Sequence, residues 1–178
     1  VVPVGIVDRE VIAQVAEAVE RRCGLPCKIF APMDKPEHAY DRKRCQYNSR
    51  FLLEHLIKCC PREILSFIGL TRLDLYVPIL KYVYGLAQMD GKCCIVSLHR
   101  LNPQFYGHPP DPHLYRARVE KTVLHELGHC LGLTHCRDRH CVMYSSTTIE
   151  HTDYKQADFC STCLELFRWH LEKRLADA

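Results

Sequence analysis

Apolar positions along this chain change period several times, and each change predicts an element. Val1 to Val7 is apolar and β-branched, the composition of a buried strand. After Asp8, a helix-capping residue type, Val11, Ile12, Val15, Ala18 and Val19 recur at helical spacing to about Cys23. Lys28 to Phe30 reads as a second strand, and the proline-bearing, charged stretch from Ala31 to Arg44 as a loop. Tyr47 to Cys60 predicts a helix with Phe51, Leu52, His55, Leu56 and Cys59 on one side, ended by Pro61. Ile64 to Leu70, Leu73 to Val77 and Cys93 to Leu98 read as strands, the last following an Asp90-Gly91 turn.

Residues 102 to 113 carry four prolines, so regular structure is not expected there. This loop leads into a helix that bears His125, and is expected to lie near any cleft that helix lines. Arg116, Arg118 and Lys121 read as the exposed face of the first turns. The last helix opens at Cys160 to Cys163, with Leu164, Phe167, Leu171 and Leu175 at inward spacing. Alternating strands and helices predict a mixed α/β (α+β) fold with a twisted, mostly parallel sheet and covering helices. The 178 residues suit one domain, with an upper part of about residues 1–133 and a lower part of about 134–178.

The chemistry concentrates in the run from His125 to His135, which spells H-E-x-x-H-x-x-G-x-x-H. On a helix, residues four apart are separated by roughly 40° of rotation and about 6 Å of rise, so His125 and His129 share a face. Continued helix would carry His135 about 15 Å from His125, so the chain must turn, and Gly132 tolerates the positive φ that a turn requires. Three histidines then bind one zinc and leave a fourth position open, as in catalytic sites. Glu126, one residue after the first histidine, sits beside the metal and is a candidate general base.

Downstream, Cys136, Cys141, Cys160 and Cys163 form C-x4-C and C-x2-C, the ingredients of a closed four-thiolate zinc site. Two disulfides, or four buried thiols, would also use four cysteines. The first residues lack the pattern of a secretory leader, which favours a reducing cytoplasm and disfavours disulfides. The other eight cysteines, at 23, 27, 45, 59, 60, 93, 94 and 130, form no complete ligand set; Cys23 and Cys27 leave a disulfide or a metal open, and Cys130 faces away from the catalytic metal. Met143 can floor the metal site with its thioether, although most lone methionines are core residues.

The whole run from His125 to Cys163 resembles the archaemetzincins, zinc peptidases of the metzincin clan. Their pattern, H-E-x-x-H-x-x-G-x-x-H-C-x4-C-x-M followed by C-x-x-C, is filled here by His125, Glu126, His129, Gly132, His135, Cys136, Cys141, Met143, Cys160 and Cys163. The Met143 to Cys160 spacer is about one residue shorter than the family's usual length, which affects loop detail alone. Stretches 69–78, 83–87 and 97–101 are similar to the family as well, so the likeness covers nearly the whole chain. The resemblance implies a metzincin-like fold, a catalytic zinc on the three histidines, Glu126 as the base activating a zinc-bound water, Met143 as the Met-turn residue and a second zinc on the four cysteines. It implies hydrolysis of peptide bonds in a peptide or protein substrate. Tyr144 immediately follows Met143, unlike the assisting tyrosine of some relatives, and is left out of the catalytic set.

Composition narrows the alternatives. An apolar fraction of 47% suits a soluble core, and no apolar run is long enough to span a bilayer. A net charge of +3, with one short basic cluster at Arg42-Lys43-Arg44, gives no case for a nucleic-acid or membrane partner. The expectation is therefore a cytoplasmic monomer with two zinc ions. A two-zinc binding protein with little or no peptidase activity is the alternative, and His108 and His113 are expected at the surface.

Overall fold

The computed structural model describes residues 1–176. Its main sheet has four strands in the order β1-β4-β7-β6. These are β1 (Val2–Pro3), β4 (Phe67–Thr71), β7 (Cys93–Ser97) and β6 (Gly85–Ala87). The first three run parallel and β6 lies antiparallel along one edge. The mixed, mostly parallel sheet expected from the sequence is thus present. A smaller sheet joins β2 (Tyr40–Asp41), β3 (Gln46–Asn48) and β5 (Leu75–Tyr76).

Strand alternation divides the core in two. Ile68 and Leu70 of β4, with Cys94 and Val96 of β7, face α1 (Arg9–Cys23) and α3 (Pro112–Cys130). Phe67, Cys93 and Ile95 point the other way, onto Leu52, Leu53 and Leu56 of α2 (Ser49–Cys59). Period-two side chains thereby bury both faces of the sheet, which explains why β4 and β7 read as continuous apolar runs. The chain closes with α4 (Ile149–Tyr154) and α5 (Ser161–Ala176). Among the described residues, no helix is long and apolar enough to cross a membrane.

Several sequence expectations shift. Lys28 to Phe30 is no strand: it runs beside Val1 through only two backbone contacts, between prolines that supply no donors. The supposed loop 31–44 contains β2 and a short 3-10 turn, and Tyr47 and Asn48 belong to β3 where helix was expected. Asp8 has extended geometry but makes no capping bond. Phe51 and Cys59 are exposed; Ser49, Leu52, Leu53 and Leu56 form the buried stripe of α2. On α5, Cys163, Phe167 and Leu171 are buried, whereas Leu175 is exposed because the helix runs past the core.

Arg118 is the largest departure. It is buried, forms a bidentate ion pair with Asp153 at 2.7 Å, and donates to the Leu101 carbonyl at 3.1 Å. Lys121, one turn on, donates to the Thr152 and Asp153 carbonyls. These side chains face α4, which sequence periodicity had no means of placing there; Arg116 alone is exposed as expected. The 102–113 loop holds a 3-10 turn, Pro103–Tyr106, and supplies nothing to the wall of the cleft that α3 lines. Pro112 opens α3 thirteen residues before His125, so the end of the loop sits about 20 Å of helix from that histidine, while Tyr106 lies beside Tyr84 of the cleft lining.

Candidate metal centres

All residues from Thr122 to Cys130 are buried, so the second half of α3 threads the core and carries its histidines in with it. The helix ends at Leu131, and Gly132 follows with φ +83°. That left-handed turn brings His135 back over the helix, its ring stacked on His125 at 5.3 Å. The ring nitrogens of His125, His129 and His135 converge within 4.8 Å of one another.

The hydrogen bonds of the imidazoles fix how they present those nitrogens. His125 Nδ1 lies 2.9 Å from the Val142 carbonyl and His129 Nδ1 lies 2.7 Å from the Leu133 carbonyl. Each Nδ1 proton is held by a carbonyl, which leaves the Nε2 lone pair facing inward. The two Nε2 atoms are 3.2 Å apart. Tetrahedral zinc with Zn–N bonds of about 2.05 Å requires an edge of about 3.3 Å, so the pair fits the ion. Burial lowers the pKa of all three imidazoles, holding them in the neutral form that ligates metal.

Glu126 is buried beside them at the cleft wall, and burial pushes its carboxyl up to about 8, against the opposing pull of the Lys155 ammonium. Gly85 at the start of β6 makes room for it: a Cβ there would come within 2.6 Å of the Glu126 side chain. Met143 is fully buried with its thioether against Gly128, where a Cβ would collide with the sulfur. The methionine therefore lies under the second half of α3, and Gly128 is the gap it fills.

The four thiols of Cys136, Cys141, Cys160 and Cys163 also converge within 4.8 Å. Cys136 Sγ and Cys160 Sγ are 3.8 Å apart. That matches the tetrahedral edge of about 3.8 Å expected for Zn–S bonds of about 2.3 Å, and it is far beyond a disulfide bond. All twelve cysteines are free thiols. Cys136 and Tyr144 are bridged, with the Cys136 N–H donating to the Met143 carbonyl at 3.0 Å. Among the described residues these are the two groups suited to hold a metal; His108 and His113 are exposed and join neither. The two donor sets are consistent with two zinc ions.

Sequence reasoning missed Lys155 and Gly85. Lys155 follows α4, has 2% of its surface exposed, and donates to the Tyr144 carbonyl at 3.1 Å. Burial lowers its pKa to about 8. No periodicity marks it. Gly85, a glycine inside the apolar run 83–87, did carry the signal of a close backbone approach. The cleft beside the three histidines holds about 880 Å³ between β6, α3 and the segment from Ser145 to Lys155.

A mixed sheet with an antiparallel edge strand, a buried histidine helix that turns at glycine and a methionine beneath it define a zinc metallopeptidase of the metzincin kind. Comparison with known proteins narrows that class. Residues 5–169 match the model of peptidase family M54. The chain is 39% identical to the archaemetzincin of Pyrococcus furiosus, over 98% of this chain and 92% of that one. Its structure is similar to that of the archaemetzincin of Methanopyrus kandleri, with a TM-score of 0.80 and 36% identity over 96% and 94% of the two chains. It is similar as well to a zinc-dependent peptidase of Methanocorpusculum labreanum, with a TM-score of 0.82 and 26% identity over 94% and 100%. The chain belongs to peptidase family M54, the archaemetzincins.

Proposed function

We propose that this chain hydrolyses peptide bonds with His125, His129 and His135 as the ligands of a catalytic zinc and Glu126 as the general base. Cys136, Cys141, Cys160 and Cys163 hold a structural zinc in this reading, and Met143 floors the catalytic site. The observation that carries it is the convergence of three neutral imidazoles within 4.8 Å on the cleft that Glu126 also lines.

When bound, zinc supplies Lewis acidity that acidifies a water and polarises a carbonyl. Glu126 accepts the proton of the attacking water and delivers it to the leaving amine, the shuttle that a single carboxylate can perform in both directions. The Val142 and Leu133 carbonyls keep His125 and His129 in one tautomer and one orientation throughout. The working unit is one chain, in the cytoplasm, acting on peptide or protein.

Glu126→Gln tests the assignment, because the amide keeps the shape and loses the base. The variant should retain two zincs per chain and lose about 10²–10⁴-fold in kcat/KM on unstructured peptides. A Gln variant as fast as its parent would remove Glu126 from the mechanism.

A further inference from the structure

The cleft is unevenly charged. Among its described lining residues Glu126 is the one carboxylate, whereas Lys81 and Lys155 both contribute ammonium groups. Lys155 is the unusual one, since ammonium groups are rarely buried unless paired. It has three protons to place. The Tyr144 carbonyl takes one, at 3.1 Å. His125 Nδ1, at 3.5 Å, directs its own proton to Val142 and has no lone pair to offer. No hydrogen bond or ion pair joins Lys155 to Glu126, and the two attract each other only at longer range, so the remaining protons of the ammonium have no direct acceptor. Ser146, on the same cleft, has a buried hydroxyl without any hydrogen-bond partner. The Thr122 hydroxyl, by contrast, is already satisfied by the Arg118 carbonyl at 2.8 Å.

Spare donors on a buried cation and an unpartnered hydroxyl, both on a cleft of positive balance, want an anionic acceptor. We propose that Lys155 and Ser146 form a carboxylate subsite beside the reacting centre, so that preferred substrates carry a carboxylate near the scissile bond. The carboxylate comes from an acidic side chain or from the C-terminus of a short peptide. This rests on the peptidase reading above and specifies what that site selects.

Matched peptides on the zinc-loaded protein test it. One set exchanges Glu for Gln at each position flanking the bond; the other exchanges a free C-terminal carboxylate for an amide, which separates the two sources. One set should show kcat/KM about tenfold higher for the carboxylate, the effect of one charge-assisted hydrogen bond. Lys155→Met should bring that ratio close to one, and Lys155→Arg should retain part of it. Equal rates within each wild-type pair, or a preference that survives Lys155→Met, would overturn the subsite; so would a uniform fall for both members of a pair, which marks a residue that only positions Glu126. Calorimetric binding of N-acetylglutamate α-amide against N-acetylglutamine α-amide, and of N-acetylalanine against its amide, to the wild-type protein needs neither a variant nor turnover. Tighter binding of the carboxylate in either pair supports the subsite even if no peptide is cleaved, an outcome that would count against the peptidase reading alone, and equal binding within both pairs sinks it.

Discussion

Gly128 shows how one residue's choice is set by two opposed effects. An alanine there would gain about 1 kcal/mol of helix propensity. It would also drive a methyl group into the thioether of Met143, a side chain with no exposed surface and therefore no direction in which to yield. Overpacking of that kind amounts to about 1–3 kcal/mol, so the clash wins. Gly128→Ala is expected to lower the melting temperature, and combining it with Met143→Ala should recover part of the loss by making room. A Gly128→Ala protein as stable as its parent would show that the methionine can move. The three histidines and Glu126 were legible at this scale because helical geometry ties their spacing to their direction. Lys155 was not, since it gains its meaning from partners far away in sequence, and Gly85 signalled a close approach without naming Glu126 as what approaches.

Among the elements, α4 is small, six residues long, yet two basic side chains of α3 reach across to it. Arg118 is 4% exposed and Asp153 about one-third exposed. Removing the acidic partner would leave a guanidinium buried with only a carbonyl for company. Asp153→Asn should therefore destabilise the fold by about 2–3 kcal/mol, less than a wholly buried pair because Asp153 still sees water. Urea unfolding would measure this, and a change under about half a kcal/mol would refute the clamp. Long periodic elements such as α1 and α5 were readable to within a few residues. Most strands of two or three residues were not, because β2, β3 and β6 are too short for alternation to register and exist only through their pairing, whereas β1 and β5 lie inside apolar runs that read as strand. Arg118 misled for a related reason: a charged residue on a helix reads as solvent-facing until its acceptor is known.

Across the whole molecule, the thiolate cluster joins the start of α5 to the chain just after His135. Structural zinc sites contribute folding free energy directly. Cys163→Ser should therefore reduce zinc from two per chain to one and lower the melting temperature, whereas His129→Ala should lose one zinc with a smaller thermal effect. Equal zinc content in wild type and both variants would dissolve the two-site description. The alternating pattern of strands and helices foretold the mixed sheet, and the ligand spacing foretold both clusters. The packing of α4 against α3, which closes the far wall of the cleft, rests on contacts between residues some thirty-five positions apart and left no periodic trace.

One short stretch of backbone belongs to both clusters. Cys136 and Cys141 bracket it, the Met143 carbonyl accepts from Cys136, and the Val142 carbonyl holds His125 in register. Two ions held by one stretch of backbone are coupled wherever either one orders that stretch. Whatever factor the thiolate ion adds to the imidazole ion's binding constant, the imidazole ion must return to the thiolate ion, because the two routes to the doubly loaded state enclose one thermodynamic cycle. Where that factor favours binding, half-loaded chains become rarer than two independent sites would make them, and the response to zinc supply steepens accordingly.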